Sequence, residues 1–227
     1  MSSVLLTETP CCYHSWVSNS FAASLATGHE PPNSKPLRAV FLDRDGVINR
    51  KMPEGQYVTG WQHFELLPGV AKAIARLNHA GLRVVVVTNQ RGIALGLYSV
   101  ADVEHIHQQL QLQLTASGAH IDGFYFCPHD KRECTCRKPL PGLFEQARAD
   151  FPQIDVASSL IIGDSLSDIE FGHNLGMRTI FLEGDEYARQ HQKPGAQKAV
   201  TLADRRFATL PEAIEGLMQT EPIAAKV

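Results

Sequence analysis

The sequence lacks several features that would place it in a large class of proteins. It has no apolar run near the roughly 20 residues that a membrane-spanning helix needs. It does not begin with a basic segment followed by an apolar block, so it carries no convincing secretory signal. Its formal net charge is -3, which argues against a broad nucleic-acid-binding surface. We therefore predict a cytoplasmic protein that has neither a membrane nor a nucleic acid as a partner.

Cysteine is scarce, and its number is odd. Five cysteines, three of them within ten positions, do not resemble a disulfide framework and favour a metal site in a reducing compartment. The pattern C-x-H-x₄-C-x-C places Cys127, His129, Cys134 and Cys136 close together. Three thiolates and one imidazole are a tetrahedral zinc set, and four protein ligands leave no position for a substrate. The sequence therefore predicts a structural zinc ion held in a loop.

The length of 227 residues suits one α/β domain. Residues 1–36 are rich in Ser, Thr, Pro and Asn without a sustained apolar period, which predicts a disordered leader. We place the folded domain at residues 37–220 and a short tail at 221–227.

Short apolar runs alternate with segments of helical spacing. The runs predict buried strands at 39–42, 82–87, 121–126, 160–162 and 179–182. The helical spacing predicts helices at 69–79, after a Ser99–Asp102 capping box, at 141–150, at 168–175 and at 211–218. This alternation predicts a Rossmann-like parallel sheet with helices on both faces.

Acidic residues follow two of the predicted strands. Asp43 and Asp45 come directly after strand 39–42, whereas Asp164 and Asp168 follow strand 160–162. Open α/β sheets bind ligands at the carboxyl ends of their strands. There, one carboxylate could attack phosphorus while another moves protons, and hard oxygen ligands suit Mg²⁺.

Two polar motifs complete the set. Thr88 ends strand 82–87 with a hydroxyl suited to phosphate oxygens. Lys138, fixed before a proline, can neutralise clustered carboxylates, and Arg137 can fork onto phosphate. Each motif alone has a plainer explanation, such as a solvated acid pair or a basic surface. Together, in this order, they are far more specific.

The four motifs resemble the signature motifs of the haloacid dehalogenase-like hydrolases. The resemblance implies a magnesium-dependent phosphatase in which Asp43 is phosphorylated and Asp45 is the general acid and base. It implies that Thr88 binds phosphate and that Lys138 orients the substrate and neutralises charge. It also implies that Mg²⁺ is held by Asp43, the main-chain carbonyl of Asp45, and Asp164, with Asp168 in support.

The Cys/His loop that runs into Cys136-Arg137-Lys138-Pro139 narrows the resemblance to one branch. Residues 38–184 are similar to the heptose-bisphosphate and histidinol-phosphate phosphatases, which lack a large cap domain. The resemblance implies a monomer acting on a small phosphorylated metabolite, with D-glycero-D-manno-heptose 1,7-bisphosphate as the leading substrate. Histidinol phosphate or another small phosphomonoester is the alternative.

Specificity is harder to predict, because the chain departs from the family pattern at Arg91, Leu95 and Ser165. We expect the substrate to be contacted by Asn89, Gln90, Arg91 and Arg137. A remote alternative is a zinc-knuckle module that binds nucleic acid, but the knuckle has few aromatic and basic neighbours.

Overall fold

The computed structural model describes residues 13–15, 35–184, 188–189 and 195–224. Its strands are β1 (Tyr13–Ser15), β2 (Ala39–Leu42), β3 (Arg83–Asn89), β4 (Gly123–Cys127), β5 (Ser159–Gly163), β6 (Arg178–Leu182) and β7 (Arg205–Phe207). They form one sheet in the order β1-β4-β3-β2-β5-β6-β7. Strands β2 to β7 are parallel, and β1 pairs antiparallel with β4.

The helices are α1 (Val70–His79), α2 (Val100–Thr115), α3 (Gly142–Asp150), α4 (Leu166–Leu175), α5 (Ala196–Leu202) and α6 (Leu210–Thr220). Two short 3-10 helices, Trp61–His63 and Val156–Ser158, lie in the connections. The predicted capping box is confirmed at the start of α2, where Ser99 accepts from the Asp102 amide and Asp102 accepts from the Ser99 amide. This exchange satisfies two amides that a helix N-terminus leaves without partners.

The core has two layers, one on each face of the sheet. In β2, Val40 and Leu42 pack into one layer with α1, α2 and α6. The alternate residues Ala39 and Phe41 pack into the other layer with α3 and α4. Successive strand residues point to opposite faces, so a run buried on both sides must be apolar throughout. The predicted fold class, a parallel sheet with helices on both faces, is confirmed.

No large cap domain interrupts the described part of the chain. Between β2 and β3 the chain forms only one 3-10 turn and α1, and between β3 and β4 it forms only α2. The described chain between these strands therefore has no large cap domain, as predicted. Among the described residues, no helix is both long and apolar enough to cross a membrane.

The structure contains elements that the sequence patterns did not predict. β1 lies within the predicted leader, where Tyr13–Ser15 pairs with β4; the leader's residues outside 13–15 and 35–36 are not among the described residues. α5 and β7 lie between Gly184 and Pro211, where we predicted neither a helix nor a strand. The start of the predicted tail is hydrogen-bonded to the domain. The Leu37 amide donates to the Pro222 carbonyl, and the Leu37 carbonyl accepts from the Ala224 amide.

Candidate active site

Two neighbouring strands, β2 and β5, bring the predicted acidic motifs together at their carboxyl ends. Asp43 follows β2, and its amide donates to the Ile162 carbonyl of β5 at 3.0 Å. Asp164 directly follows β5, and oxygens of Asp43, Asp164 and Asp168 all lie within 4.8 Å of one another. Three carboxylates this close repel one another unless cations lie between them.

The turn after β2 needs a glycine for two reasons. Gly46 has a φ of 98°, which is in the left-handed region, and a Cβ at that position would collide with the Asp164 carboxylate. The glycine therefore lets the chain leave the sheet while Asp164 stays close to Asp43. This need explains why the acidic pair of the first motif is followed directly by glycine.

Lys138 is the cation at the centre of the carboxylates. Its ammonium group donates to Asp43 Oδ1 at 2.9 Å and to the Val87 carbonyl at 2.6 Å, and it lies 2.6 Å from Asp168 Oδ1. The side chain is only 1% exposed. Burial lowers the pKa of Lys138, but the charges of Asp168 and Asp43 outweigh burial and raise it. The lysine is therefore held as a cation between two carboxylates.

The backbone around Lys138 is fixed by a side chain from β3. Asn89 accepts from the Lys138 amide at 3.0 Å and donates to the Lys138 carbonyl at 3.1 Å. This two-point contact between strand end and loop sets the direction of the lysine. Asn89 thus positions Lys138, and its contact with a substrate stays a prediction.

Asp43 itself is nearly buried. Burial raises its pKa to about 6, with Lys138 opposing and the carboxylates of Asp168, Asp164 and Asp45 reinforcing the shift. Asp168 shows the opposite result: burial raises its pKa, but Lys138 and the Ser165 hydrogen bond bring the net value below the ordinary one. The negative charge is thus held more firmly on Asp168 than on Asp43.

Asp45 is surrounded by hydrogen-bond donors. Arg44 Nη2 lies 3.0 Å from both of its oxygens, Asn49 Nδ2 donates to Oδ1 at 2.9 Å, and Gln90 Nε2 donates to Oδ2 at 2.9 Å. Burial alone would raise the pKa of Asp45, but the Arg44 charge and these donors lower it. Tyr98 extends the network by donating to Gln90 Oε1 at 2.7 Å.

The predicted phosphate-binding hydroxyl lies beside this network. Thr88 Oγ1 accepts a hydrogen bond from Gln90 Nε2 at 2.9 Å, and this bond does not use the proton of the Thr88 hydroxyl. A hydroxyl that accepts one bond can still donate one. Thr88 is therefore suited to donate to a phosphate oxygen.

The four predicted zinc ligands also meet. Cys134 Sγ lies 3.4 Å from Cys127 Sγ and 3.3 Å from Cys136 Sγ. His129 Nδ1 lies 3.8 Å from Cys127 Sγ and 3.5 Å from Cys136 Sγ. A tetrahedron with metal–sulfur bonds of about 2.3 Å has edges of about 3.8 Å, so the donor atoms have the spacing that one ion needs.

The thiols differ in how readily they lose their protons. A hydrogen bond from Cys136 lowers the pKa of Cys127 to about 5, against burial that raises it. Burial raises the pKa of Cys134. Thiolates are the form that binds metals, so Cys127 is prepared for a metal while Cys134 must release a proton on binding.

The cysteine loop is held against α3. A Cβ at Gly142 would lie 2.8 Å from the Cys136 Cα and 2.8 Å from the Thr135 carbonyl. Only glycine lets the helix start this close to the backbone of the cluster, and Lys138 lies between the two. The Cys/His cluster and the lysine of the carboxylate cluster are therefore joined by a short stretch of backbone that packs against the start of α3.

Comparisons with known proteins agree with this geometry. A family model described as HAD-hydrolase-like matches residues 135–205. A Mycobacterium tuberculosis D-glycero-alpha-D-manno-heptose-1,7-bisphosphate 7-phosphatase is 49% identical over 137 residues, which is 60% of this chain and 72% of that protein. An Escherichia coli D-glycero-beta-D-manno-heptose-1,7-bisphosphate 7-phosphatase is 35% identical over 192 residues, or 80% and 96% of the two chains.

The chain belongs to the haloacid dehalogenase-like hydrolases. A solved structure of D,D-heptose 1,7-bisphosphate phosphatase from B. bronchiseptica, complexed with magnesium and phosphate, superposes with a TM-score of 0.69 at 30% identity. That match covers 81% of this chain and 99% of the other. The predictions of a haloacid dehalogenase-like fold and of a phosphoric monoester hydrolase are confirmed.

Two arginines that we expected to contact the substrate instead contact the Cys/His loop. Arg91 pairs with Asp130 through Nε at 2.5 Å and Nη2 at 3.0 Å. Arg137 Nη1 donates to the His129 carbonyl at 3.3 Å. Gln90, also expected at the substrate, lies buried against Asp45 and Thr88. Contact of these residues with a substrate stays a prediction.

Sequence patterns missed four residues that complete the haloacid dehalogenase-like site. Arg44, Asn49 and Tyr98 build the surroundings of Asp45, and Lys51 forms an ion pair with Asp164. A signal existed for Arg44, because it stands between the two acids of the first motif. Tyr98 gave none, since its contact depends on how the loop after β3 folds back.

Proposed function

We propose that this phosphatase removes the 7-phosphate of D-glycero-D-manno-heptose 1,7-bisphosphate and leaves heptose 1-phosphate. The observation that carries the chemistry is the meeting of Asp43 with Lys138, Asp164 and Asp168 at the strand ends. The substrate is supported by the names of the relatives. We propose the α anomer as the better substrate, because the relative of 49% identity is named for that anomer.

The reaction runs in two displacements on phosphorus. Asp43 attacks the phosphorus, the bond to the sugar oxygen breaks, and Asp45 gives its proton to the departing oxygen. A water molecule then attacks the aspartyl phosphate, Asp45 takes the proton of that water, and the bond from phosphorus to Asp43 breaks. In-line positioning and charge neutralisation dominate phosphoryl transfer, so the fixed orientation of both carboxylates is their main contribution.

The other residues of the site hold the phosphate and the charges. The Thr88 oxygen already accepts a hydrogen bond from Gln90, so the hydroxyl proton of Thr88 donates to a phosphate oxygen. Lys138 lowers the repulsion between the anionic Asp43 and the anionic phosphate. The lowered pKa of Asp45 favours the carboxylate form that the second displacement requires, so Asp45 must take up a proton before the first displacement.

We propose that Mg²⁺ binds at Asp43 and Asp164, with the main-chain carbonyl of Asp45. The donor set fits, because carboxylate and carbonyl oxygens are the ligands that Mg²⁺ prefers. When bound, the ion neutralises charge on the phosphate oxygens. Asp168 supports the site indirectly, because its carboxylate is occupied by Lys138 and by the amide and hydroxyl of Ser165.

We propose that Zn²⁺ binds at the Cys/His cluster in a structural role. Three sulfur atoms and one ring nitrogen are soft or borderline donors, unlike the oxygens of the carboxylate cluster. The bound ion ties the end of β4 to the loop that leads to Lys138. That the enzyme is a cytoplasmic monomer stays a prediction.

The substrate can be tested by following phosphate release from purified enzyme with Mg²⁺. We expect turnover of the heptose bisphosphate, with kcat/KM at least about 100-fold above that for histidinol phosphate. Both anomers should be compared. ³¹P NMR of the product should show loss of the C7 resonance and retention of the C1 resonance.

A different ranking would identify a different substrate. Higher kcat/KM for histidinol phosphate would move the enzyme to the alternative substrate, and a β preference would contradict the anomer proposal. Absence of phosphate release from every phosphomonoester tested would contradict the proposed function. Asp43→Asn protein is the control for contaminating phosphatases.

A further inference from the structure

Lys138 already has partners inside the protein. Its ammonium group donates to Asp43 Oδ1 at 2.9 Å and to the Val87 carbonyl at 2.6 Å, and it forms an ion pair of 2.6 Å with Asp168 Oδ1. A lysine ammonium group has three donors, so two of them are already used within the protein. A hydrogen bond from Lys138 to phosphate would therefore compete with its buried ion pair to Asp168.

A second lysine contacts the same carboxylate cluster at its third member, Asp164. Lys51 Nζ forms an ion pair with Asp164 Oδ2. Its side chain is 27% exposed, compared with 1% for Lys138, so it borders the open side of the cluster. A lysine ammonium group is a cation at neutral pH, so Lys51 faces the carboxylates as a positive charge.

The backbone that carries Lys51 is anchored on the catalytic motif. Asn49 donates from Nδ2 to Asp45 Oδ1 and to the Arg50 carbonyl, both at 2.9 Å. The Arg50 amide donates to the Glu65 carbonyl at 2.8 Å. Because the neighbouring residues are fixed in this way, the lysine stem starts from a defined place beside Asp45.

The contact with Asp164 is also the contact that a divalent cation would need. Two cations on one carboxylate repel each other, so a bound metal ion weakens the hold of Asp164 on Lys51. A phosphate dianion beside Asp43 offers new acceptor oxygens close by. The ammonium group then needs only a rotation of its flexible stem to reach them.

We propose that Lys51 is a second phosphate-binding lysine of this enzyme, one that pairs with Asp164 before the metal binds and donates to the phosphate of the substrate afterwards. The ligand class is the dianion of a phosphomonoester, or inorganic phosphate as product. This inference rests on the proposed function, because it takes Asp43 as the residue that attacks the phosphorus.

The decisive measurement is direct binding of inorganic phosphate to the Mg²⁺-loaded protein by titration calorimetry. Lys51→Met should weaken binding by about 10- to 100-fold, the value of a lost hydrogen bond to a charged group. Lys51→Arg should recover part of the loss. Arg50→Met is the matched control. It removes a cation from the same loop, but this cation pairs with Glu65 and not with Asp164.

A second titration tests the pairing with Asp164. Without phosphate, Lys51→Met should bind Mg²⁺ about three- to fivefold more tightly than the wild type, because a competing cation is gone. Unchanged Mg²⁺ affinity would overturn the shared use of Asp164. Circular dichroism should confirm that the substitution leaves the fold intact, as expected for a side chain that is partly exposed.

The outcomes separate the two proposals. Wild-type phosphate affinity in Lys51→Met, with the wild type active and Asp43→Asn inactive, would overturn only the role of Lys51. A wild-type protein that neither binds phosphate nor hydrolyses phosphomonoesters would overturn the proposed function and the role of Lys51 with it. Equal weakening in Arg50→Met would show a general charge effect and would also overturn the specific role.

Discussion

The carboxylate cluster and the Cys/His cluster are joined through Lys138 but are built in different ways. Two members of the carboxylate cluster, Asp43 and Asp164, follow adjacent parallel strands, and the third, Asp168, lies in the first turn of α4. A buried lysine balances the repulsion among them. The Cys/His cluster has one ligand at the end of β4, and the other three lie on the loop that follows. The first arrangement favours chemistry at phosphorus, and the second favours holding a loop in place.

The two clusters should therefore respond differently to the same kind of substitution. Removal of a carboxylate should remove activity and relieve repulsion. Removal of a thiol should remove stability first and activity only as a consequence. The predictions that follow test this contrast.

The largest effect is expected from Asp43→Asn on turnover. An amide of nearly the same volume cannot serve as an anionic nucleophile, so kcat should fall by at least about 10³-fold. Zinc content should be unchanged. Steady-state assays and elemental analysis measure both quantities, and exposed Glu54→Gln is the carboxylate-to-amide control. Substantial activity in purified Asp43→Asn would refute the nucleophile.

The next largest effect is expected from Cys134→Ser. The variant should lose its zinc, and its melting temperature should fall by about 10 °C, as loss of a structural metal worth about 3–4 kcal/mol would produce. Activity should fall with it, because the loop before Lys138 is released. Cys11→Ser is the control, since it removes a cysteine outside the cluster. A zinc-free wild type, or full activity without zinc, would contradict the structural role.

Asp43→Asn should also stabilise the Mg²⁺-free protein, which is the opposite of the cysteine result. The folded-state pKa of Asp43 is about 6 against an ordinary 3.8, so folding is penalised as pH rises through this window. Above pH 6 the free energy of unfolding of the variant should exceed that of the wild type by about 1–3 kcal/mol. The gain should shrink as pH falls toward 4. Urea unfolding at several pH values measures it, and a destabilised variant at pH 8 would contradict the burial argument.

The smallest effect is expected from Tyr98→Phe. Its hydroxyl holds Gln90, which in turn holds Asp45, so kcat should fall about two- to tenfold while KM stays near the wild-type value. Tyr57→Phe is the control, because its ring packs on Tyr98 while its hydroxyl bonds to Arg91. Equal loss in both variants would assign the effect to packing.

Much of the fold follows from local patterns. The strand at Ala39–Leu42 has the predicted bounds, because four apolar residues buried on both faces leave no other arrangement. Helix α6 begins one residue before the predicted start, where Thr209 caps it. β1 and β7 were missed because each has three residues, too few to show a period, and each exists only through its neighbour in the sheet.

The sequence by itself determined the main candidate residues for the chemistry, because strand-end acids and clustered thiols are properties of residue type and order. Only the tertiary structure decided what each side chain contacts. Asn89 and Gln90 hold Lys138 and Asp45 because β3 lies beside β2, and Lys51 meets Asp164 across 113 positions of chain. Contacts between residues far apart depend on the packing of whole elements, which no local pattern encodes.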